Sequence, residues 1–311
     1  MARRRFDPLT AFGIPFQGGG IIRPAAGPEV WVNTEAEAFG TGATPDRPFE
    51  TVAEAFTHIA AVGESNGVLY VQGDIREEAT APLGVYGWRI QGAVGGRPRH
   101  STSGGVAVAG NGVNWREPAS GATTGGALLT LLEQGWEVQD ILFVPKSDGT
   151  ALRLSRRESA SIPDASHAVI RGCKFIGAAT ATCLGIEDDG GCHHVLVELC
   201  EFNTLDSGIV NTSATIANPL RWMVRNNIFM NNDEHIDMPF TESVVLANVF
   251  DEATTNVETD GGAGGNFVID NYFQEDQASI TNGNGYAGHA NDVWRNFSQN
   301  TAAVTVGTVT S

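Results

Sequence analysis

The chain is short of positive charge, of cysteine and of long apolar runs, and each shortage closes off a class of protein. Nineteen lysines and arginines stand against 36 acidic residues, a formal net charge of −17. A body this acidic repels a phosphate backbone, so no nucleic-acid partner is expected and an acidic, solvated exterior is. No apolar run approaches the ~20 residues that a bilayer-spanning helix needs, so no membrane partner is expected either. The four cysteines, Cys173, Cys183, Cys192 and Cys200, fall in one short region. Their spacing, including Cys192-His193-His194, matches no paired zinc pattern. We expect buried thiols behaving as small hydrophobes, with no metal and no cofactor.

What is present in abundance is repetition. Aligned on a phenylalanine, one short pattern returns as VQDILF at Phe143, IRGCKF at Phe175, VELCEF at Phe202, VRNNIF at Phe229, VLANVF at Phe250, VIDNYF at Phe273 and DVWRNF near Phe297. The intervals are 32, 27, 27, 21, 23 and 24 residues. A short fixed period marks a solenoid whose units bury their apolar faces only against one another. Inside each unit apolar residues alternate, as in Val224-Arg225-Asn226-Asn227-Ile228-Phe229, and β-branched and aromatic types dominate, which reads as strand. A second short strand follows each phenylalanine: ALRLS, CLGIE, GIVNT, HIDM, NVET, SITN and AVTV. No helical segment recurs at this period, so leucine-rich and helical repeats fit worse than a coil of parallel strands.

Two residues before each phenylalanine stand Ile141, Cys173, Cys200, Asn227, Asn248 and Asn271, and Asn296 joins them if the last coil slips by one. Coils stack at the ~4.8 Å strand spacing, so equivalent asparagines reach one another and the turn backbone. On these motifs the chain resembles the right-handed, pectate-lyase-like parallel β-helix superfamily, whose coils carry such asparagine ladders and internal aromatic stacks. The resemblance implies an all-β fold, a right-handed parallel β-helix solenoid with a short capping helix and an extended N-terminal arm.

Four segments follow. Residues 1–28 form an arm with Arg3, Arg4, Arg5 and Arg23 against Asp7 alone, broken by Gly18-Gly19-Gly20. Asp7 and Pro8 stand where the apolar core of an export signal would begin, so no signal peptide is expected. A cationic arm ahead of an acidic body suits docking on another protein through Arg3, Arg4 and Arg5. Residues 29–66 hold an opening strand and a helix. There Thr51 and Glu54 make a capping box, and Val52, Phe56 and Ile59 share a face that can plug the solenoid. Residues 67–298 are the β-helix, with a long Gly, Ser, Thr and Ala excursion over 91–126 that suits a binding loop or subunit contact. Residues 299–311 are an uncharged β-prone strand that needs covering, and a threefold contact would cover it.

Chemistry would require groups converging on one outer face. If the second strand of each coil turns Leu152, Leu184, Ile209, Ile236, Val257 and Ile280 inward, then Arg153, Gly185, Val210, Asp237, Glu258 and Thr281 face out. Asp237 and Glu258 would lie ~4.8 Å apart on adjacent coils. That approaches the ~5–5.5 Å carboxylate separation of retaining glycosidases, and each charge would raise the other's pKa. His235, Asp233 and Asp260 lie nearby. Against the pectinases of the superfamily, Asp188-Asp189 and Gly288-His289-Ala290 are fragments of the polygalacturonase motifs, and no RxK follows. No arginine stands near Asp237 in the way a pectate lyase requires.

The resemblance therefore implies a structural virion protein of a tailed phage, a homotrimeric decoration or spike protein on capsid or tail, joined to particle proteins through the arm. The alternative is a polysaccharide lyase or hydrolase with Asp237 and Glu258 as acid/base or nucleophile. Binding of host or environmental polysaccharide without cleavage is a third reading.

Overall fold

The computed structural model describes residues 27–35, 40–93, 112–118, 125–145, 148–155, 165–177, 182–189, 191–212, 219–251, 253–258, 265–274 and 296–298, together with short strands at Thr10–Ala11, Ile14–Pro15, Tyr286–Ala287 and Val293–Trp294. Within the coils from Val68 onward, each strand pairs in parallel with its equivalent in the next coil rather than with the strand that follows it in sequence. Three long parallel sheets result. Among the described residues, sheet 1 has ten strands from Glu29–Asn33 to Val293–Trp294, sheet 2 nine from Asp74–Ile75 to Phe297–Ser298, and sheet 3 eight from Ala79–Thr80 to Tyr286–Ala287. This is a right-handed parallel β-helix.

The repeat phenylalanines are the spine of the core. Trp115, Phe143, Phe175, Phe202, Phe229, Phe250 and Phe273 stack face to face at centroid distances of 5.7, 5.3, 4.8, 4.6, 5.0 and 5.0 Å in turn. All seven are buried. Trp115 extends the stack into residues expected to be loop, because Val113–Arg116 is a strand of sheet 2 paired with Ile141–Val144. The rest of the 91–126 stretch lies largely outside the described residues. In the last coil the register does slip. Phe297 pairs with Tyr272 and stands half exposed on the outer side, leaving Ser298 opposite Phe273.

Between sheets 1 and 2, among the described residues, the coils turn on residues of positive φ: Gly73, Asp140, Gly172, Leu199, Asn226, Ala247 and Asp270. The next residue inward carries the ladder. Asn248 Oδ1 accepts from the backbone N–H of Asn227 at 2.9 Å, and Asn271 and Asn296 repeat the bond to the coil before each. Their amide groups donate to inward carbonyls such as Val224 O at 3.0 Å. Where cysteine replaces asparagine the pattern persists in weaker form, with Cys173 Sγ bonded to the Ile141 backbone and to Val138 O. All four cysteines are free and buried, and burial pushes the Cys173 and Cys192 thiols well up.

Helix α1 (Val52–Val62) covers the first coils. Thr51 and Glu54 form the capping box, Gly63 closes the helix in the left-handed region, and Val52, Ala55, Phe56 and Ile59 are buried in the common core. Its N-terminus is also held from the solenoid: Glu77 accepts from Val52 N at 2.7 Å and Ala53 N at 3.0 Å. In the arm, only a two-residue antiparallel pairing, Thr10–Ala11 with Ile14–Pro15, is described. Arg3, Arg4 and Arg5, and the strand expected over 299–311, lie outside the described residues.

Candidate functional site

The outer row of sheet 3 brings together Thr130, Arg153, Glu187, Val210, Asp237 and Glu258, each the registered partner of the next, and Ala287 takes the register position after Glu258. Asp237 and Glu258 thus stand on neighbouring strands, as their sequence positions predict. Gly185 does not belong to this row and Glu187 does. The reason is a bend at the start of each strand, where two consecutive residues point inward: Ala151 and Leu152, Gly185 and Ile186, Gly208 and Ile209, His235 and Ile236, Asn256 and Val257. Gly185 shows the crowding, since an added Cβ would lie 2.4 Å from Gly208 O and 3.0 Å from the Phe202 ring. Simple alternation places Leu184 inward, but Ile186 is the core residue and Leu184 pairs with Thr150 and Ser207 on the outer side. Ile280 and Thr281 lie outside the described residues, and Tyr286 takes the register position opposite Val257.

The same bend turns a further carboxylate outward. Glu234 precedes the inward pair His235 and Ile236, as Asp237 follows it, so both acids of one strand face solvent. Burial raises the Asp237 pKa, and the Glu258 charge raises it further. Glu234 is raised first by burial and then by Asp237, Asp206 and Asp233, against a hydrogen bond of 3.1 Å from Ser207 Oγ. Asp206 is raised by burial and by Asp233. Asp206, Glu234 and Asp237 are therefore all held above the ordinary carboxylate range, by burial first and by neighbouring carboxylates second. Chemically the cluster can hold a proton on one carboxyl beside an ionised neighbour, which is what general acid–base work requires.

Toward the N-terminal end the row is ion-paired. Arg153 Nε donates to Glu187 Oε2 at 2.7 Å, and the Thr150 and Thr212 hydroxyls each reach Glu187 at 2.7 Å. Arg153 is thus occupied three coils from Asp237.

His235, expected beside the pair, is inside the solenoid and fully buried. Its ring packs beside the stacked pair Phe229 and Phe250, 5.7 and 5.8 Å from their centroids. The tautomer follows from its partners. Asn232 Oδ1 accepts from Leu205 N, so Asn232 Nδ2 donates to His235 Nδ1 at 2.9 Å, and Nε2–H donates to Asp251 O at 3.0 Å. Burial pushes its pKa down to about 4, leaving it a neutral structural bridge at pH 7. Asp188 is also buried, accepting from Cys192 N at 3.0 Å and Asn211 Nδ2 at 3.1 Å, so the Asp188-Asp189 fragment presents no exposed carboxylate pair. Cys192 is inside, while His193 and His194 sit half-buried at the corner, with His194 stacked on His167 at 4.8 Å. Asp260, Gly288, His289 and Ala290 lie outside the described residues.

No family model matches the chain. No curated protein matches it either. Among solved structures it is similar to the tailspike protein gp49 from Acinetobacter baumannii bacteriophage Fri1, a capsular polysaccharide depolymerase, at 12% identity and a TM-score of 0.30, over 87% of this chain and 55% of that one. It is similar to ORF18 of Geobacillus virus E2 at 11% identity and a TM-score of 0.31, over 86% and 60%. An exopolygalacturonase from Thermotoga maritima matches at 12% identity and a TM-score of 0.32, over 87% and 80%. The chain spans little more than half the length of the two phage proteins. These are distant likenesses in the parallel β-helix fold.

Proposed function

We propose that this chain is a structural virion protein of a tailed phage, a β-helix spike or decoration protein borne on capsid or tail. One observation carries the reading: the polar groups are used to bind coil to coil. Arg89 pairs with Glu137, Arg116 with Asp74, Lys174 with Glu201, Arg221 with Glu242, and Glu198 is held between Arg171 and Arg225, every one across neighbouring coils. The asparagine ladder does the same inside. The basic side chains of these coils are thus committed to a stiff shaft, which is what a projecting or tiling particle component needs. Deleting residues 2–28 in the producing phage is expected to leave a folded protein that no longer enters particles. Unchanged incorporation would rule out the arm, with Arg3, Arg4 and Arg5, as the anchor.

The raised carboxyl groups at Asp237 and Glu234 beside Glu258 favour a second reading, a polysaccharide depolymerase with Asp237 and Glu258 as its acid/base or nucleophile pair. That reading predicts cleavage of acidic or neutral polysaccharide by the purified protein, abolished in Asp237→Asn or Glu258→Gln with stability retained. Equal activity in both variants would sink it.

A further inference from the structure

The outer faces of sheets 1 and 2 change character along the solenoid axis. On sheet 2 the outward row reads Leu142, Lys174, Glu201, Ile228, Val249, Tyr272 and Phe297, each registered on the next. Its early positions are covered or ion-paired, with Leu142 buried and Lys174 on Glu201. Its last four are apolar and open, at 39, 38, 39 and 49% exposure. Sheet 1, around the corner, changes at the same height. One outward row passes from Arg171, Glu198 and Arg225 to Leu246 and Ile269, and the other passes through Leu196 and Met223 to Val244 and Phe267. Leu246, Ile269, Val244 and Phe267 are half-buried. The two faces meet at the Ala247 and Asp270 turns. A contiguous apolar band is thus built into an acidic exterior, and bands of this kind on soluble proteins mark contacts.

We propose that this band is where copies of this chain meet, side by side, with Val249 and Tyr272 at the contact centre. Two properties select a second copy as the occupant. The band's eight side chains carry no charge and Asp270 is the one acid at the turns joining its two faces, so it offers little to a strongly charged partner. A chain with a net charge of −17 repels its own copies over the rest of its surface, whereas an uncharged band removes that penalty locally. The second property is pitch. The band is ridged at the ~4.8 Å strand spacing, and only a surface ridged at the same spacing seats row into row along its length. Another copy of this solenoid has that spacing. The inference is independent of whether the shaft is a spike, a decoration protein or an enzyme.

The test is the mass of the full-length protein in solution by sedimentation or light scattering over a dilution series. The expected result is a discrete oligomer. Val249→Glu and Tyr272→Glu place like charges in register across the contact and are expected to weaken association at least ~tenfold each. Leu83→Glu, an equally exposed apolar position at 48% outside the band, is expected to leave the oligomer intact. A monomeric parent protein overturns the proposal, and so does an oligomer that both band variants leave unchanged. If the charged variants do not fold, a nitroxide label on Tyr272→Cys reads the same contact: dipolar broadening between neighbouring copies supports it, and isolated spins overturn it.

Discussion

Replacing Asn248 by alanine isolates what the ladder contributes. Asn248 makes four side-chain bonds, all buried: it accepts from Asn227 N at 2.9 Å and Asn227 Nδ2 at 3.0 Å, and it donates to Val224 O and Asn271 Oδ1 at 3.0 Å each. Two of the four partners keep a second bond, Asn227 Nδ2 to Val197 O and Asn271 Oδ1 to Asn248 N. The Asn227 N–H is different, because its acceptor is the side chain removed. Leaving a buried donor unpaired costs about 1–3 kcal/mol, and the remaining bonds contribute about 0.5–1 kcal/mol each. Asn248→Ala should therefore lose roughly 3–4 kcal/mol in urea unfolding followed by circular dichroism. Hydrogen exchange at the Asn227 amide should accelerate before the rest of its coil. Asn248→Cys should cost about half as much, because the Cys173 coil shows the thiol bonding to the same two kinds of backbone group. A loss under about 1 kcal/mol with the Asn227 amide still protected would show that the ladder does not carry the coil spacing.

The other expectations are smaller in scope. Leu199 and Ala247 hold positive φ of 57° and 53° without the freedom of glycine. Leu199→Gly should thus raise stability by about 1 kcal/mol, and a lower melting temperature would contradict this. Phe229→Ala opens the middle of the aromatic stack, between rings at 4.6 and 5.0 Å, and should cost about 3–5 kcal/mol. Phe229→Leu should recover most of that. Glu77→Ala frees two helix amides and should lower stability by about 1–2 kcal/mol, with protection lost at Val52 and Ala53 first. Asp237 is raised in the folded state, so its proton-bound form favours folding at low pH and that contribution disappears as pH rises through its folded pKa. Asp237→Asn should consequently be more stable than the parent at pH 7, the gain shrinking as pH falls to the ordinary carboxylate range. No gain at pH 7 would refute the crowding of these acids.

The sequence made the fold legible because the same steric problem is solved in every coil. Phe202, Phe229 and Phe250 stack only if their coils share one register, so aligning them aligned the strands, and Asn227, Asn248 and Asn271 fell into their ladder with them. The site was legible in part. Asp237 and Glu258 were placed correctly because alternation holds after the bend. Glu187 and Glu234 were missed because two consecutive residues point inward at that bend, which parity counting cannot detect. The recurrence of small residues at Ala151, Gly185 and Gly208 was the available signal, and His235 and Asn256 at the same place in later coils obscured it. His235 was placed near the acid pair, yet it replaces a small residue inside and brings its own hydrogen-bond partners. The apolar band required knowing which outward residues share a face around the corner, and that depends on the turn at Ala247 and Asp270 rather than on any single motif.

The proposed virion role is tested by quantitative mass spectrometry of density-purified particles released from cultures that carry this gene. Peptides of this chain are expected at a fixed ratio to the major capsid or tail protein, retained through high-salt washing. Particles complete in their other proteins but lacking this chain, with the protein found only free in the lysate, would contradict it.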